Sequence, residues 1–155
     1  MRVSRILITV LLVFPSFCCS PSSDSSRADV SLPSNFKIEV AEGGGFTGMW
    51  SGYSILPGDS ILEWNGRPGE MHTTYAGRLP HDTTIALLHE VKTGHLLDVR
   101  PNVVPGNYTH TLSIALDGPA HEFGWASGVE ADSVSPVVVN FRSRCLSAIH
   151  KALGR

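Results

Sequence analysis

The side chains of this 155-residue protein that could do covalent or metal chemistry are few: Ser60 in a glycine-flanked turn, seven histidines, and Cys145 deep in the chain. Gly58-Asp59-Ser60-Ile61 offers a hydroxyl nucleophile, but such a nucleophile needs a base that is itself oriented by a third group. The best downstream pair, Asp117 and His121, is one residue too far apart for an Asp-x-x-His arrangement, and no Gly-x-Ser-x-Gly elbow occurs in the chain. Glu42-Gly43-Gly44-Gly45 has the form of an oxyanion loop with Glu42 where a histidine belongs. His89-Glu90 has Thr93 where a second zinc ligand would stand. His110 and His121 could face each other across a hairpin, with Glu122 as a neighbouring carboxylate, and two such ligands leave a zinc site incomplete. Cys145 sits within an apolar helical stripe and reads as a small buried hydrophobe. These residues assign no catalytic group, no metal and no cofactor.

The pattern that does stand out is Gly43-Gly44-Gly45-Phe46-Thr47-Gly48-Met49-Trp50. Glycine is used where φ must be positive or where another surface approaches the backbone, and it costs chain entropy. Phe and Trp in such a loop are the residue types that anchor protein contacts. Gly43, Gly44, Gly45, Phe46, Thr47, Gly48 and Trp50 are therefore the candidate binding residues. The alternative is a bulged turn whose Phe46 and Trp50 fold back into the core. As a recognition loop, it should lose binding more than folding on Gly44→Ala or Gly45→Ala.

Compartment is written at the start of the chain. Met1-Arg2-Val3-Ser4-Arg5 is a basic segment and Ile6 to Phe14 an apolar run, too short to cross a bilayer, which needs ~20 residues. Cys18-Cys19-Ser20 then opens a Ser/Pro-rich stretch to Ser34, the arrangement of a lipoprotein signal with Cys19 as the lipidated residue and Cys18 as the alternative. Residues 1–18 read as a signal peptide, 19–34 as a tether and 35–155 as one domain. Simple secretion is the competing reading. Loss of Arg2 and Arg5 leaves ten basic residues against fourteen acidic, a net charge of −4. The basic residues are scattered, so no nucleic-acid partner is expected.

The elements that must position these residues read as strands, helix, strands, helix. Phe36, Ile38 and Val40 alternate with Lys37 and Glu39; 49–56 and 61–65 form a hairpin about Pro57-Gly58-Asp59-Ser60. Residues 65–77 read as a variable loop. Pro80 and Asp82 start a helix that Gly94 closes, with Ile85, Leu88 and Val91 on one face. Leu96 to Gly106 reads as a loop. Tyr108 to Leu116 and His121 to Trp125 form a second hairpin about Asp117-Gly118. Ser135 as N-cap and Pro136 open a last helix whose Val138, Phe141, Cys145, Ile149 and Ala152 make one stripe. The expected fold is α+β, an antiparallel sheet of four or five strands packed by two amphipathic helices.

Over about residues 36–153 the chain resembles the emfourin-like (protealysin-inhibitor-like) family, small inhibitors of thermolysin-type metallopeptidases. The shared features are a first strand running into Gly44-Gly45-Phe46-Thr47-Gly48, a central helix at about 82–93, the His121 to Trp125 strand, and a terminal helix opened by Pro136. The resemblance implies a non-enzymatic inhibitor of a metallopeptidase, and with the leader and Cys19 it reads as an exported, lipid-anchored relative whose partner is extracytoplasmic. Gly43, the Trp50-Ser51-Gly52-Tyr53 continuation and the anchor depart from the family pattern. The same features also suit a structural envelope module, or a ligand binder or enzyme using His110, His121 and Glu122.

Overall fold

Period-two alternation buries Phe36, Ile38 and Val40 together, and the register of the strands carries that row across the molecule. Ile61, Ile55, Ile38 and Ile114 stand side by side on four neighbouring strands, and Val40 aligns with Leu112, which aligns with Phe123. A computed structural model describes residues 32–104, 106–128 and 134–155. The expected signal segment, Cys18, Cys19 and the expected tether up to residue 31 lie outside the described residues.

The element order is β1 (Lys37–Gly44), β2 (Met49–Ile55), β3 (Ser60–Arg67), β4 (Glu70–Arg78), α1 (His81–Thr93), a 3₁₀ turn (Leu96–Asp98), β5 (Asn102–Val103), β6 (Tyr108–Ala115), β7 (His121–Ala126) and α2 (Pro136–Leu153). Among the described residues these strands form one sheet in the order β4-β3-β2-β1-β6-β7-β5. The fold is α+β, as the sequence implies. The sheet is larger than the four or five antiparallel strands expected, and it is mixed, because β5 pairs with β7 in parallel. After β4 at one edge, α1 and the 3₁₀ turn carry the chain to the opposite edge, where β5 is laid down.

Residues 65–77 are not a loop. Most of them belong to β4, which turns back on β3 through Pro68-Gly69. β4 escapes period-two reading because an edge strand exposed on both faces shows no apolar alternation. Leu96–Gly106 likewise holds a 3₁₀ turn and β5 rather than loop alone.

Both helices cover the sheet face that carries the isoleucine row. Leu87, Leu88 and Val91 of α1 and Val138, Phe141, Cys145 and Ile149 of α2 are buried in one core with the strands. Ile85, expected on the buried face of α1, is half-buried, and Thr84 takes the inner position. Ser135 precedes α2 but makes no side-chain cap; its carbonyl accepts from the Val138 and Val139 amides instead. Pro136 sits in the first turn, where its missing N–H costs no hydrogen bond.

Candidate functional site

β1 and β2 meet at a four-residue tip, Gly45-Phe46-Thr47-Gly48, at one end of the sheet. Gly43 and Gly44 are strand residues rather than loop, paired with Trp50 and Met49. This narrows the expected loop and explains the glycines individually. Gly44, Gly45 and Gly48 have φ of +96°, +67° and +61°, values that a side chain disfavours. Gly43 answers a different need. A Cβ there would lie 2.6 Å from Trp50 Cα and 2.7 Å from the Trp50 ring, because the indole lies over this residue.

The tip is clamped on both sides. Gly48 N–H donates to Gly45 O at 3.2 Å, and Met49 N–H donates to Thr47 Oγ1 at 3.3 Å. Arg67, beside the β3–β4 turn, donates from Nε to Thr47 O at 3.2 Å. From the other flank, Asn107 O lies against Gly44 and Gly45, close enough that an added Cβ would stand 3.2 and 3.5 Å from it. Phe46 projects from this turn with a relative exposure of 106%, so it packs on none of the described residues. Trp50 is half-buried on the sheet face opposite the helices, so it is not a second free anchor.

Gly44 lies between Met49 and Tyr108 on adjacent strands, and both of those side chains are exposed. With no side chain of its own, it leaves a shallow hollow of about 330 Å³ lined by Phe46, Met49, Tyr108, Glu42, Ser51 and Asn65 among others. Glu42, Ser51 and Asn65 also line a second hollow of about 320 Å³ walled by Arg142, Leu146 and His150 of α2. A groove thus leads from Phe46 toward α2.

A polar cluster stands beneath the tip. Arg142 is buried, yet its Nε donates to Thr111 O at 3.2 Å and its Nη2 to Ala41 O at 3.0 Å and Glu42 Oε2 at 3.3 Å. Its guanidinium lies 5.8 Å from the Trp125 ring centre, within cation–π range. Burial pulls the Arg142 pKa down, opposed by Glu42. Burial, then the Arg142 charge, lowers that of His110, whose Nδ1 lies 3.3 Å from Glu42 Oε2 without hydrogen-bond geometry. Burial and the Glu42 carboxylate raise that of Tyr108. At the far end of the groove, Arg155 grips Glu63 through two bonds of 2.9 and 3.0 Å and donates to the Tyr53 hydroxyl at 2.7 Å. Arg155 holds the Glu63 carboxyl below its ordinary value.

The other chemical candidates are dispersed. His110 aligns with Trp125, and His121 with Ile114, so the two histidines do not face each other as the hairpin reading expected. Among the described residues no group of three His, Cys, Asp or Glu is placed to hold a metal ion. Ser60 begins β3, while Asp117 and His121 belong to the β6–β7 hairpin, with β2 and β1 between. Asp59 engages His81 at 3.1 Å. Glu90 is taken by Arg144. Cys145 is buried, and desolvation pushes its thiol far up from the usual value.

Sequence reasoning missed Arg142, Tyr108 and Met49 as residues around the tip. Arg142 carries a signal: it is a cation beside Phe141 on the stripe of an amphipathic helix, where burial demands partners. Compared with known proteins, the chain matches no protein-family model, and no curated protein is significantly similar to it.

Proposed function

We propose that this is a non-enzymatic binding protein, exported and held at the cell envelope by lipid on Cys19, that inserts its β1–β2 tip into a partner's cleft. The partner we propose is an extracytoplasmic metallopeptidase of the thermolysin type. The observation that carries the reading is Phe46, a fully exposed aromatic on a turn held by Arg67 and flanked by the Asn107 carbonyl. Phe46 lines one hollow with the exposed Met49 and Tyr108, a grouped apolar surface of the kind that marks interaction sites, and a turn that is already ordered loses little entropy on binding. Gly45 and Gly48 let a partner's backbone come close on both sides of the ring. Met49 and Tyr108 extend the apolar surface toward the groove. Titrating such a peptidase with the protein and with Phe46→Ala tests it: the wild type lowers activity, and the variant does so more weakly while melting at the same temperature.

A further inference from the structure

The two edges of the sheet are finished differently. At one, β5 is two residues long, bracketed in sequence by Pro101 and Pro105, and Val103 covers Gly124 of its neighbour. Short length and proline are the usual guards against edge-to-edge pairing. At the other, β4 runs nine residues without a proline or a lysine, and every side chain from Glu70 to Tyr75 is exposed. Its charges stand at the ends, Glu70 and Arg78, and the stretch between carries no carboxylate or permanent cation. A β-bulge where β4 crosses the Ile61/Leu62 step limits the regular ladder to residues 70–75.

We propose that this edge pairs with the same edge of a second copy of the chain, antiparallel and centred on Thr73. The chemistry selects orientation and register. Antiparallel pairing keeps the two Glu70 carboxylates at opposite ends of the ladder, whereas in-register parallel pairing sets them side by side. In an antiparallel ladder hydrogen-bonded and non-hydrogen-bonded pairs alternate. Counted from the two-residue turn at Pro68-Gly69, Met71, Thr73 and Tyr75 turn their main-chain N–H and C=O groups away from β3. Centring on Thr73 joins these three residues to one another across the two-fold axis. It also places Met71 of each copy opposite Tyr75 of the other, on the sheet face away from the helices. Both are large exposed apolar side chains with no place in the core, at 42% and 63% exposure. A thioether against an aromatic ring is a favourable contact, and it forms twice. An interface of this length is small, so the dimer should dissociate at roughly 1–100 µM.

Sedimentation velocity of the protein as its host processes it, across that concentration range, reads the result. The wild type should shift from monomer to dimer. Met71→Glu and Tyr75→Lys should each weaken the dimer by at least about tenfold, at unchanged melting temperature, since neither side chain is buried. The double variant sets a carboxylate against an ammonium at both ends of the Thr73-centred register and should restore the dimer. A wild type that stays monomeric overturns the proposal, as does a dimer indifferent to both single variants. A double variant that stays monomeric overturns the register. Dimerisation is read without any peptidase, so its failure leaves the tip's proposed role untouched.

Discussion

Phe46 and Gly43 sit three residues apart and should respond oppositely to mutation. Phe46 is fully exposed among the described residues, so Phe46→Ala should leave the melting temperature within a degree or two of wild type. Gly43 has the Trp50 main chain and ring against it, so Gly43→Ala should destabilise by about 1–3 kcal/mol, as overpacking does. Denaturant melts of the two variants check both statements; a Phe46→Ala protein that unfolds early would place that ring in the core. Gly44→Ala and Gly45→Ala, expected to cost binding more than folding, also place a side chain at positive φ and so add backbone strain, and neither isolates binding.

His110 supplies a pH prediction at the same scale. Burial and Arg142 hold its pKa below the ordinary 6.5, so the folded state favours the neutral ring. A group with a depressed folded pKa gives its full contribution above the unfolded value, and that contribution is lost as pH falls toward the folded value. Stability should therefore decline as pH drops below about 6.5, and His110→Gln should flatten that part of the curve. Equal slopes for the two proteins would mean that His110 is solvated like an ordinary surface histidine.

Among the elements, α2 holds the core together. Phe141 is fully buried, and Phe141→Ala should cost about 3–5 kcal/mol in an equilibrium unfolding experiment. Cys145, one turn further, is inaccessible and its thiol is held protonated, so a thiol reagent should modify it only at the rate of unfolding. Fast labelling of the native protein at Cys145 would contradict the packing. The stripe of α2 was legible from Val138 to Ile149 because its spacing is regular, though Ala152 at its end is exposed, and β1, β6 and β7 were legible because one face of each is apolar. β4 was not: Gly66, Pro68, Gly69 and Gly77 read as punctuation, and Met71-His72-Thr73-Thr74-Tyr75 has no inner face to reveal it. β5 owes its existence to β7 and has only two residues to announce itself. At the tip, the glycines and Phe46 were readable from composition. That Gly43 serves Trp50, and that Arg67, Asn107 and Arg142 converge there from distant positions, follows only from the register of β1 against β2 and β6.

For the whole molecule, the sheet sets the hairpin tip and the groove at one end, while described helices are too short or too polar to cross a membrane. Retention at the envelope then rests on Cys19 in the proposed account. Cys19→Ala should release the protein from the membrane fraction or leave its leader uncut; a mature N-terminus beyond Ser20 on a freely soluble protein would replace anchoring with secretion.

In the proposed function the ordered tip binds a peptidase through Phe46. The most direct measurement of this is residual activity of a thermolysin-type metallopeptidase titrated with wild-type protein and with Phe46→Ala, alongside thermal melts of both. The wild type should inhibit, and the variant should lose about 2 kcal/mol in binding, roughly 30-fold, at unchanged stability. No inhibition of any such enzyme, or a variant that inhibits as well as the wild type, would contradict it.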